Sequence, residues 1–409
     1  MPASKARAPH PSTDPAAEAA ALLRRIGFAT LALLVPAAAT VSRRGIVVLV
    51  PIGIVLLLLA SALDGAQRPV GERVRRFAGS AGGIGALVVL GWCALSLLWT
   101  PFPPSAGERF LNVFATLAVA TVGYLLLPDR MRAANLYLIP IGALFAGGLA
   151  LALALFGHAG QERDEEMQNL ERGIVVLAMV AWPALAWLRS RGRDLEALGL
   201  VLVVGLVVAV GPSATALAAF GIGAFVYAAS ELDPRRTMLA VGAVAAGLLA
   251  FGPLVPFLLA PASSLLPGSG AAAVEAWQGI VLKDPLRLVT GHGFDSLRGR
   301  LFGLVPPAAP NSVLFEVWYE LGIVGALAGA VALFDGARAA AREHPPLVPG
   351  AAATLATAFA LAAMEIGIRQ MWWFTAVTVV VLLFAATGRG QFRTTRPKAV
   401  LRALDGRRG

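Results

Sequence analysis

The sequence has few of the residues on which soluble enzymes and metal centres depend. Only 14% of its 409 residues are charged and 57% are hydrophobic, whereas a soluble domain is about 25% charged and about 45–50% apolar. The single cysteine, Cys93, excludes an internal disulfide, and the four histidines lie too far apart in sequence to form a metal-ligand motif. The composition argues against a soluble enzyme and predicts an integral membrane protein, for which we expect no metal and no cofactor.

Long apolar runs separated by short polar breaks predict transmembrane helices over most of the chain. A span needs about 20 apolar residues, and the runs are long enough for about a dozen spans. We place them at residues 27–41, 46–63, 78–99, 110–127, 136–157, 173–188, 197–210, 214–230, 237–260, 312–334, 347–365 and 371–387. The predicted fold class is all-α, a polytopic transmembrane helix bundle of about 12 spans.

The distribution of basic residues predicts the orientation of this bundle. With the N-terminus in the cytoplasm, 24 of the 34 Lys and Arg residues fall in cytoplasmic segments and 10 in outer segments, as the positive-inside rule expects. We expect the basic tail to contact the lipid bilayer, and we expect no nucleic-acid partner. The predicted segments are a cytoplasmic tail at 1–26, nine spans over 27–260, a periplasmic loop with short helices at 261–311, three spans over 312–387 and a basic cytoplasmic tail at 388–409.

Two outer segments are long or polar enough to hold a functional site. The first is 158–172, and the second is the loop 261–311, which is long for a simple connector. The carboxylates of Asp164-Glu165-Glu166 form either a solvated face or a site for a divalent cation. Arg172 stands at the mouth of the sixth span. It is either an interfacial arginine that snorkels to the headgroups or a fixed guanidinium that presents its fork to a phosphate.

The loop 261–311 contains three features of interest. The spacing of apolar residues around Trp277 predicts a short helix lying in the membrane interface. Gly291-His292-Gly293 is more typical of a turn than of a phosphate-binding loop. Arg298 and Arg300 follow this turn, and either side chain is a candidate for contact with a ligand phosphate.

Carboxylates also occur within or next to predicted spans. The tenth span opens at Asn311-Ser312 and carries Glu316 and Glu320 four residues apart, on one helical face. A carboxylate inside a span is costly and is by default a functional candidate. The alternative is a buried partner for an arginine or for a Trp or Tyr donor. Glu365 and Arg369 have the same spacing at the end of the eleventh span, which predicts a local ion pair.

The segment from Trp277 to Gly325 resembles the O-antigen ligase and O-antigen/exopolysaccharide polymerase family of bacterial envelope proteins. The stretches that carry the resemblance are WQGIVLKDPLRLVTGHGF and PNSVLFEVWYELGIVG. In the family pattern a histidine precedes the asparagine of the second stretch, whereas this chain has Pro310 there. The positions similar to the family pattern are Pro285, Gly291, Gly293, Asn311, Leu314, Glu320, Gly322 and Gly325, together with Arg172 before Gly173.

The resemblance implies a metal-independent membrane glycosyltransferase at the periplasmic face of a bacterial inner membrane. Its donor would be a polyprenyl-diphosphate-linked glycan, and its acceptor another glycan or lipid A–core. Arg172 with Arg298 or Arg300 would stabilise charge on the diphosphate, and Glu316 or Glu320 would accept the proton of the acceptor hydroxyl. The other candidate substrate-binding residues are Gly291, His292, Gly293, Asn311 and Arg369.

Two other functions stay open at this point. The chain could be a glycolipid transporter or flippase, although no basic residue falls within a predicted span, where transporters carry ionisable side chains. It could also be a non-catalytic family member that organises glycan assembly, which Pro310 favours. The enzymatic hypothesis requires Arg172 to meet Arg298 or Arg300 above the bilayer. Ligase and polymerase differ in the acceptor, which the sequence does not specify.

Overall fold

A computed structural model describes residues 15–63, 70–156, 163–265, 269–367 and 369–390. Within these ranges the chain is helical, and the extended structure consists of one isolated bridge between Met131 and Gly390. The predicted all-α helix bundle is confirmed.

The helices follow one another with short connections. Those of the first half are α1 (Pro15–Val41), α2 (Arg43–Leu63), α3 (Val70–Ala78), α4 (Ala81–Ser96), α5 (Pro103–Leu126), α6 (Ala133–Phe156) and α7 (Arg163–Ser190). Those of the second half are α8 (Asp194–Val210), α9 (Ala214–Ser230), α10 (Pro234–Ala250), α11 (Val255–Leu259), α12 (Gly270–Lys283), α13 (Arg287–Thr290), α14 (Val313–Ala340), α15 (Val348–Met364) and α16 (Met371–Gly388). A π-helical turn, Thr30–Leu34, lies within α1, and a 3-10 helix, Ser296–Phe302, precedes α14.

The described residues form a multi-pass membrane protein. Eight of their helices are long and apolar enough to cross a membrane, and one bent pair would make a ninth span. Each predicted span falls on a helix. The total of about twelve stays a prediction, because α4, α8, α9 and α10 have only 16 or 17 residues. At 1.5 Å per residue such helices reach about 25 Å, short of the roughly 30 Å of a hydrocarbon core.

The predicted ninth span, 237–260, is wrong in its extent. Helix α10 ends at Ala250, and the chain then bends by 73° into the segment Gly252–Ser264. Pro253 and Pro256 lie just after the bend. A proline lacks the N–H donor and clashes with the preceding turn, so the helix does not continue straight. Hydropathy does not show this break, because both sides of it are apolar.

The core of the bundle is built around α7. Trp182 and Trp187 are among the largest fully buried side chains, and Trp182 Nε1 donates to Thr357 Oγ1 of α15 at 2.9 Å. Helix α7 packs against α1, α6, α8 and α15. Its close approach to α1 requires Gly173, since a Cβ at that position would overlap Thr40. The predicted sixth span is therefore the central helix.

Contacts between helix ends define two opposite ends of the bundle. At the first, which we call the loop end, Asn169 at the start of α7 donates to the Val41 carbonyl at the end of α1. There Arg109 near the start of α5 also pairs with Asp295 of the long loop. At the other end, which we call the opposite end, Arg389 after α16 donates to the carbonyl that follows α5. The long loop thus lies with the starts of α5, α7 and α14.

Candidate functional site

The long loop enters the bundle at a break in α14. Gly322 has φ 62° and ψ −157°, a conformation that is open essentially only to glycine. The break frees the carbonyls of the preceding turn from their helical partners. The His292 N–H donates to the Tyr319 carbonyl at 2.8 Å, and the Gly293 N–H donates to the Glu320 carbonyl at 3.0 Å. Backbone hydrogen bonds therefore fix the loop to the inside of α14.

The predicted turn at Gly291-His292-Gly293 is confirmed, and it lets the loop pack closely against neighbouring backbone. Gly291 has φ 72° and Gly293 has φ 98°. A Cβ at Gly293 would lie 2.7 Å from Thr100 Cα, and a Cβ at Gly291 would overlap the Glu320 carbonyl. The N–H groups that would hold a phosphate are already used, because those of His292 and Gly293 donate to α14 and that of Gly291 donates to the Arg287 carbonyl. These contacts do not support the predicted substrate-binding role of the three residues.

Substitution of Gly322 by alanine is expected to destabilise the protein. The positive φ costs about 1–3 kcal/mol for a residue with a Cβ, and the new Cβ would lie 2.6 Å from the Val289 carbonyl oxygen. Gly336→Ala in the same helix is the matched control, because nothing lies within 4 Å of a Cβ there and alanine favours helix. Thermal unfolding in detergent checks both variants. Equal midpoints for the two would contradict the docking role of the break.

An arginine that the sequence-based prediction missed holds the loop from inside. Arg109 Nη1 lies 2.9 Å from Asp295 Oδ1 and 3.2 Å from Glu320 Oε1. Ser105 donates to the other Asp295 oxygen at 3.0 Å, and the Leu297 N–H donates to Glu320 at 3.4 Å. The side chains of Arg109, Asp295 and Glu320, which we call the Arg109 cluster, are 10%, 7% and 0% exposed. One guanidinium contacts two carboxylates away from water, so loss of the guanidinium would take from both buried carboxylates their nearest cation.

These contacts change two sequence-based predictions. Glu320 is enclosed, as the alternative of a buried partner for an arginine predicts, and this geometry does not support it as a base that reaches a substrate. The prediction that no basic residue falls within a span is wrong, because Arg109 lies inside Pro103–Leu126. The sequence prediction began that span at residue 110, since an arginine usually marks a polar boundary. Its neutralising carboxylates come from distant segments, which local hydropathy does not detect.

A second group of charges lies one turn closer to the start of α14. Glu316 is 2% exposed and lies on the same helical face as Glu320. Its carboxylate packs against Gly367, where a larger residue would overlap it. Arg300 lies close enough to interact electrostatically with both Glu316 and Arg369. We call Glu316, Arg300 and Arg369 the Glu316 group.

Arg300 is anchored where α14 begins. Its Nη2 donates to the Pro310 carbonyl at 2.7 Å, and its Nη1 donates to the side-chain oxygen of Asn311. Among the described residues, its buried Nε has no hydrogen-bond partner. Burial lowers the pKa of the Arg300 guanidinium, Glu316 opposes this shift, and Arg369 adds to it. A held guanidinium with an unused donor suits an anionic ligand.

The predicted ion pair between Glu365 and Arg369 is wrong. Arg369 Nη1 donates to the Leu297 carbonyl at 3.5 Å, and its Nε lies 4.0 Å from Asp295 Oδ1. Helix α15 ends at Met364, so the two residues do not share a helix and their spacing does not bring the side chains together. Arg369, which is 35% exposed, instead links the last spans to the long loop.

The other two predicted arginines lie outside the Glu316 group. Arg298 is exposed, and its side chain forms no hydrogen bond or ion pair in the part of the chain that the structure describes. Arg172 donates to Asn169 at 2.8 Å and to Gln168 at 3.2 Å, both in its own helix. Its charged neighbours belong to α7 and to the start of α2. The expected meeting of Arg172 with Arg298 or Arg300 is therefore not seen.

The acidic residues before Arg172 line an open cleft. Asp164, Glu165 and Glu166 are exposed in the first turn of α7, where carboxylates favour the helix dipole. Glu165 and Glu166 border a cleft of about 690 Å³, together with Arg43 and Arg44 of α2. No group of three or more possible metal-ligand side chains occurs in the described ranges. The exposure of these three carboxylates supports their interpretation as a solvated face rather than a cation site.

The predicted helix around Trp277 is present as α12, but its buried face contacts protein rather than the membrane interface. Val274 and Trp277 are buried. The Trp277 ring meets Phe315 of α14 edge to face, with 5.7 Å between the ring centroids. An aromatic partner in the next span thus turns this face towards the bundle.

Comparison with known proteins gives one group of relatives. A protein of Rickettsia typhi named "Putative polysaccharide ligase" is 23% identical over 267 residues, which cover 58% of this chain and 64% of the relative. Proteins of the same name from Rickettsia felis and Rickettsia prowazekii are 23% and 22% identical, with the same coverage. The chain thus matches less than two thirds of the length of these relatives. No protein-family model and no solved structure matches it.

These relatives agree with the resemblance carried by the segment from Trp277 to Gly325. The structure adds that this segment docks on a break in α14 and carries the charges of the loop end. The bundle of apolar helices agrees with a multi-pass membrane protein. The similarity, at low identity over 58% of the chain, supports an O-antigen ligase-like family.

Proposed function

We propose that the protein is a membrane glycosyltransferase of the O-antigen ligase type. It transfers a glycan from a polyprenyl diphosphate to the hydroxyl of an acceptor, at the loop end of the bundle. The observation that carries this proposal is the Glu316 group, in which a buried carboxylate lies beside an arginine that is fixed in place and retains a buried donor without a partner. Such a pair can supply a positive charge for the leaving diphosphate and a base for the acceptor hydroxyl, which are the two groups that the reaction needs from the protein.

The first need is stabilisation of the leaving group. When the glycosidic C–O bond breaks, its electron pair goes to the diphosphate, whose negative charge increases. Arg300 and Arg369 are candidates to bind this diphosphate, because a guanidinium fork matches phosphate oxygens and preorganised charge is worth most in a site shielded from water. The sequence-based form of the enzymatic hypothesis required Arg172 to meet Arg298 or Arg300, and that form is abandoned because Arg172 pairs within its own helix. The present proposal depends instead on Arg300 and Arg369.

The second need is a base for the acceptor hydroxyl. We assign this role to Glu316, which would take the proton as the hydroxyl oxygen attacks the sugar carbon. Pro310 replaces the histidine of the family pattern, and its carbonyl accepts from Arg300. His292 is a poor substitute, because its ring stacks on Tyr319 and its Nδ1 faces the Tyr319 carbonyl at 3.1 Å. Burial also lowers the pKa of His292.

We infer that the loop end faces the periplasm of a bacterial inner membrane and that both termini lie in the cytoplasm. The 24 to 10 division of basic residues supports this orientation. A donor that carries its own diphosphate leaving group is consistent with it, because the reaction then needs no nucleotide in the periplasm.

Arg300→Ala is expected to lower kcat/KM for glycan transfer by about 10²–10³-fold, the usual loss when one donor to a developing negative charge is removed. Arg298→Ala is the matched control. It removes an exposed arginine of the same 3-10 helix, so activity should stay within about twofold. Initial rates with purified, folded variants check this prediction. Equal losses in both variants would contradict the assignment of Arg300.

Lipopolysaccharide banding in a deletion strain tests the function and separates its two forms. Loss of all long chains from lipid A–core indicates a ligase, and single repeat units on the core indicate a polymerase. Unchanged banding in the deletion strain would contradict the proposal. Protein-dependent flux of the glycolipid across proteoliposomes, without a covalent product, would instead indicate a transporter.

A further inference from the structure

The segment Gly252–Ser264, which follows α10 and which we call the bent segment, has two faces with different surroundings. On one face Gly252 is buried, and a Cβ at this position would lie 2.7 Å from the Trp318 ring. On the other face Leu254 and Leu258 are 55% and 77% exposed. The bent segment thus packs on α14 with one face and leaves apolar side chains uncovered on the other.

The uncovered face continues an exposed apolar strip of α10. The exposed large apolar side chains of that helix are Val244 and Leu248, and Phe251 at the bend is exposed as well. With Leu254 and Leu258 these residues recur every three or four positions, the spacing of one helical face. A strip of this kind on a membrane protein, which runs from a helix into the next segment, favours contact with hydrocarbon over contact with water.

The length of α10 sets the depth of the bend. The helix begins at the opposite end, because Glu231 just before it pairs with Arg189 at the end of α7. Arg235 and Arg236 are exposed in its first turn, and residues 237–274 contain no charged side chain. The 17 residues of α10 reach about 25 Å, about 5 Å short of a hydrocarbon core of about 30 Å. The bend therefore lies just inside the hydrocarbon, at the depth of an interfacial helix.

The hydrogen bonds at the bend suit surroundings without water. Pro253 has no N–H, so it cannot donate to the Leu249 carbonyl as the fourth following residue of a helix does. Trp318 Nε1 donates to this carbonyl instead, at 2.6 Å. The side chain of Gln278, in α12, donates to the Pro256 carbonyl at 3.0 Å. Inside a bilayer a carbonyl freed by proline must find its partner within the protein, and the Trp318 indole is that partner here.

We propose that the bent segment lies along the plane of the membrane, within the leaflet at the loop end, and that its uncovered face contacts lipid acyl chains. The angle of 73° to α10 supports this course, because a segment nearly perpendicular to a membrane helix runs along the bilayer rather than across it. The loop predicted at 261–311 then begins inside the membrane. The proposal does not depend on glycan transfer.

The test measures the depth of one side chain in proteoliposomes that contain the full chain. A bimane label is attached to Leu258→Cys, and the wild-type chain measures residual labelling of the buried Cys93. Val55→Cys, exposed near the middle of α2, is the reference for the bilayer centre. Glu275→Cys, on an exposed residue of α12, is the reference for water. The quenchers are phosphatidylcholine brominated near the headgroup, phosphatidylcholine brominated near the chain end, and aqueous iodide.

We expect the Leu258→Cys label to lose most fluorescence with bromine near the headgroup, less with bromine near the chain end, and little with iodide. Val55→Cys should show the reverse order of the two lipids, and Glu275→Cys should respond to iodide. Quenching of the Leu258→Cys label by iodide alone, or by none of the quenchers, would overturn the lipid contact. Strongest quenching by chain-end bromine would overturn the in-plane course in favour of a broken span. If Leu258→Cys does not insert, Leu254→Cys replaces it with the same expectations.

Discussion

Glu316→Gln is expected to lower the rate of glycan transfer by about 10²–10⁴-fold, the range attributed to a positioned general base. The amide keeps the size of the side chain, and so it preserves the contact with Gly367. It cannot take up the proton of the acceptor hydroxyl. Single-turnover rates with purified protein and saturating donor measure the chemical step without the contribution of binding.

Glu365→Gln is the matched control for this substitution. It changes an exposed carboxylate at the same end of the bundle, outside the Glu316 group. We expect a rate close to that of the wild-type protein. Wild-type rates for Glu316→Gln, or equal losses in the two variants, would contradict the assignment of the base.

Arg109→Ala is expected to have the largest effect on stability. It leaves Glu320 buried without its cation and Asp295 with only Arg369, 4.0 Å away, and removal of one partner from a buried pair costs about 3–5 kcal/mol. The long loop should then detach from α14, and both stability and activity should fall. The measurement is the unfolding midpoint in detergent, with hydrogen exchange in residues 287–300 as a local readout.

Two further variants separate the charge effect from a simple loss of packing. Glu320→Gln in the Arg109→Ala background removes one unpaired carboxylate and should recover part of the stability. Arg172→Ala loses two hydrogen bonds to side-chain amides of its own helix, worth about 0.5–1.5 kcal/mol each, and should be milder. No recovery in the double variant would contradict the account of the Arg109 cluster.

The sequence was sufficient to predict most of the helices, because a segment that faces lipid must be apolar over many consecutive residues. The bend after Ala250 was missed for the same reason, since hydropathy does not distinguish a straight apolar helix from two apolar segments at an angle of 73°. The number of spans depends on helices of 16 or 17 residues, whose length does not decide whether they cross the membrane.

The same limit applies to the charged residues, because the sequence shows which carboxylates lie in apolar helices but not which distant residues surround them. Glu316 and Glu320 were identifiable because carboxylates are rare and costly in apolar helices. The difference between their environments was not identifiable from the sequence, because Glu320 is enclosed by Arg109, which lies 211 residues away in the chain. Asp295 carried no local signal either, since its role depends on a positive φ of 61° and on the same arginine. Arg369 was assigned to its sequence neighbour because the end of α15 is not visible in the spacing.

The most direct test of the proposed function is glycan transfer in proteoliposomes that contain only the purified protein, a polyprenyl-diphosphate-linked oligosaccharide and an acceptor. Lipid A–core and a second lipid-linked glycan are supplied in separate reactions. The account predicts that the wild-type protein forms a glycosylated acceptor and releases one polyprenyl diphosphate per transfer, and that the Arg300→Ala/Glu316→Gln protein does neither. Product formation by that double variant at the wild-type rate would contradict the account.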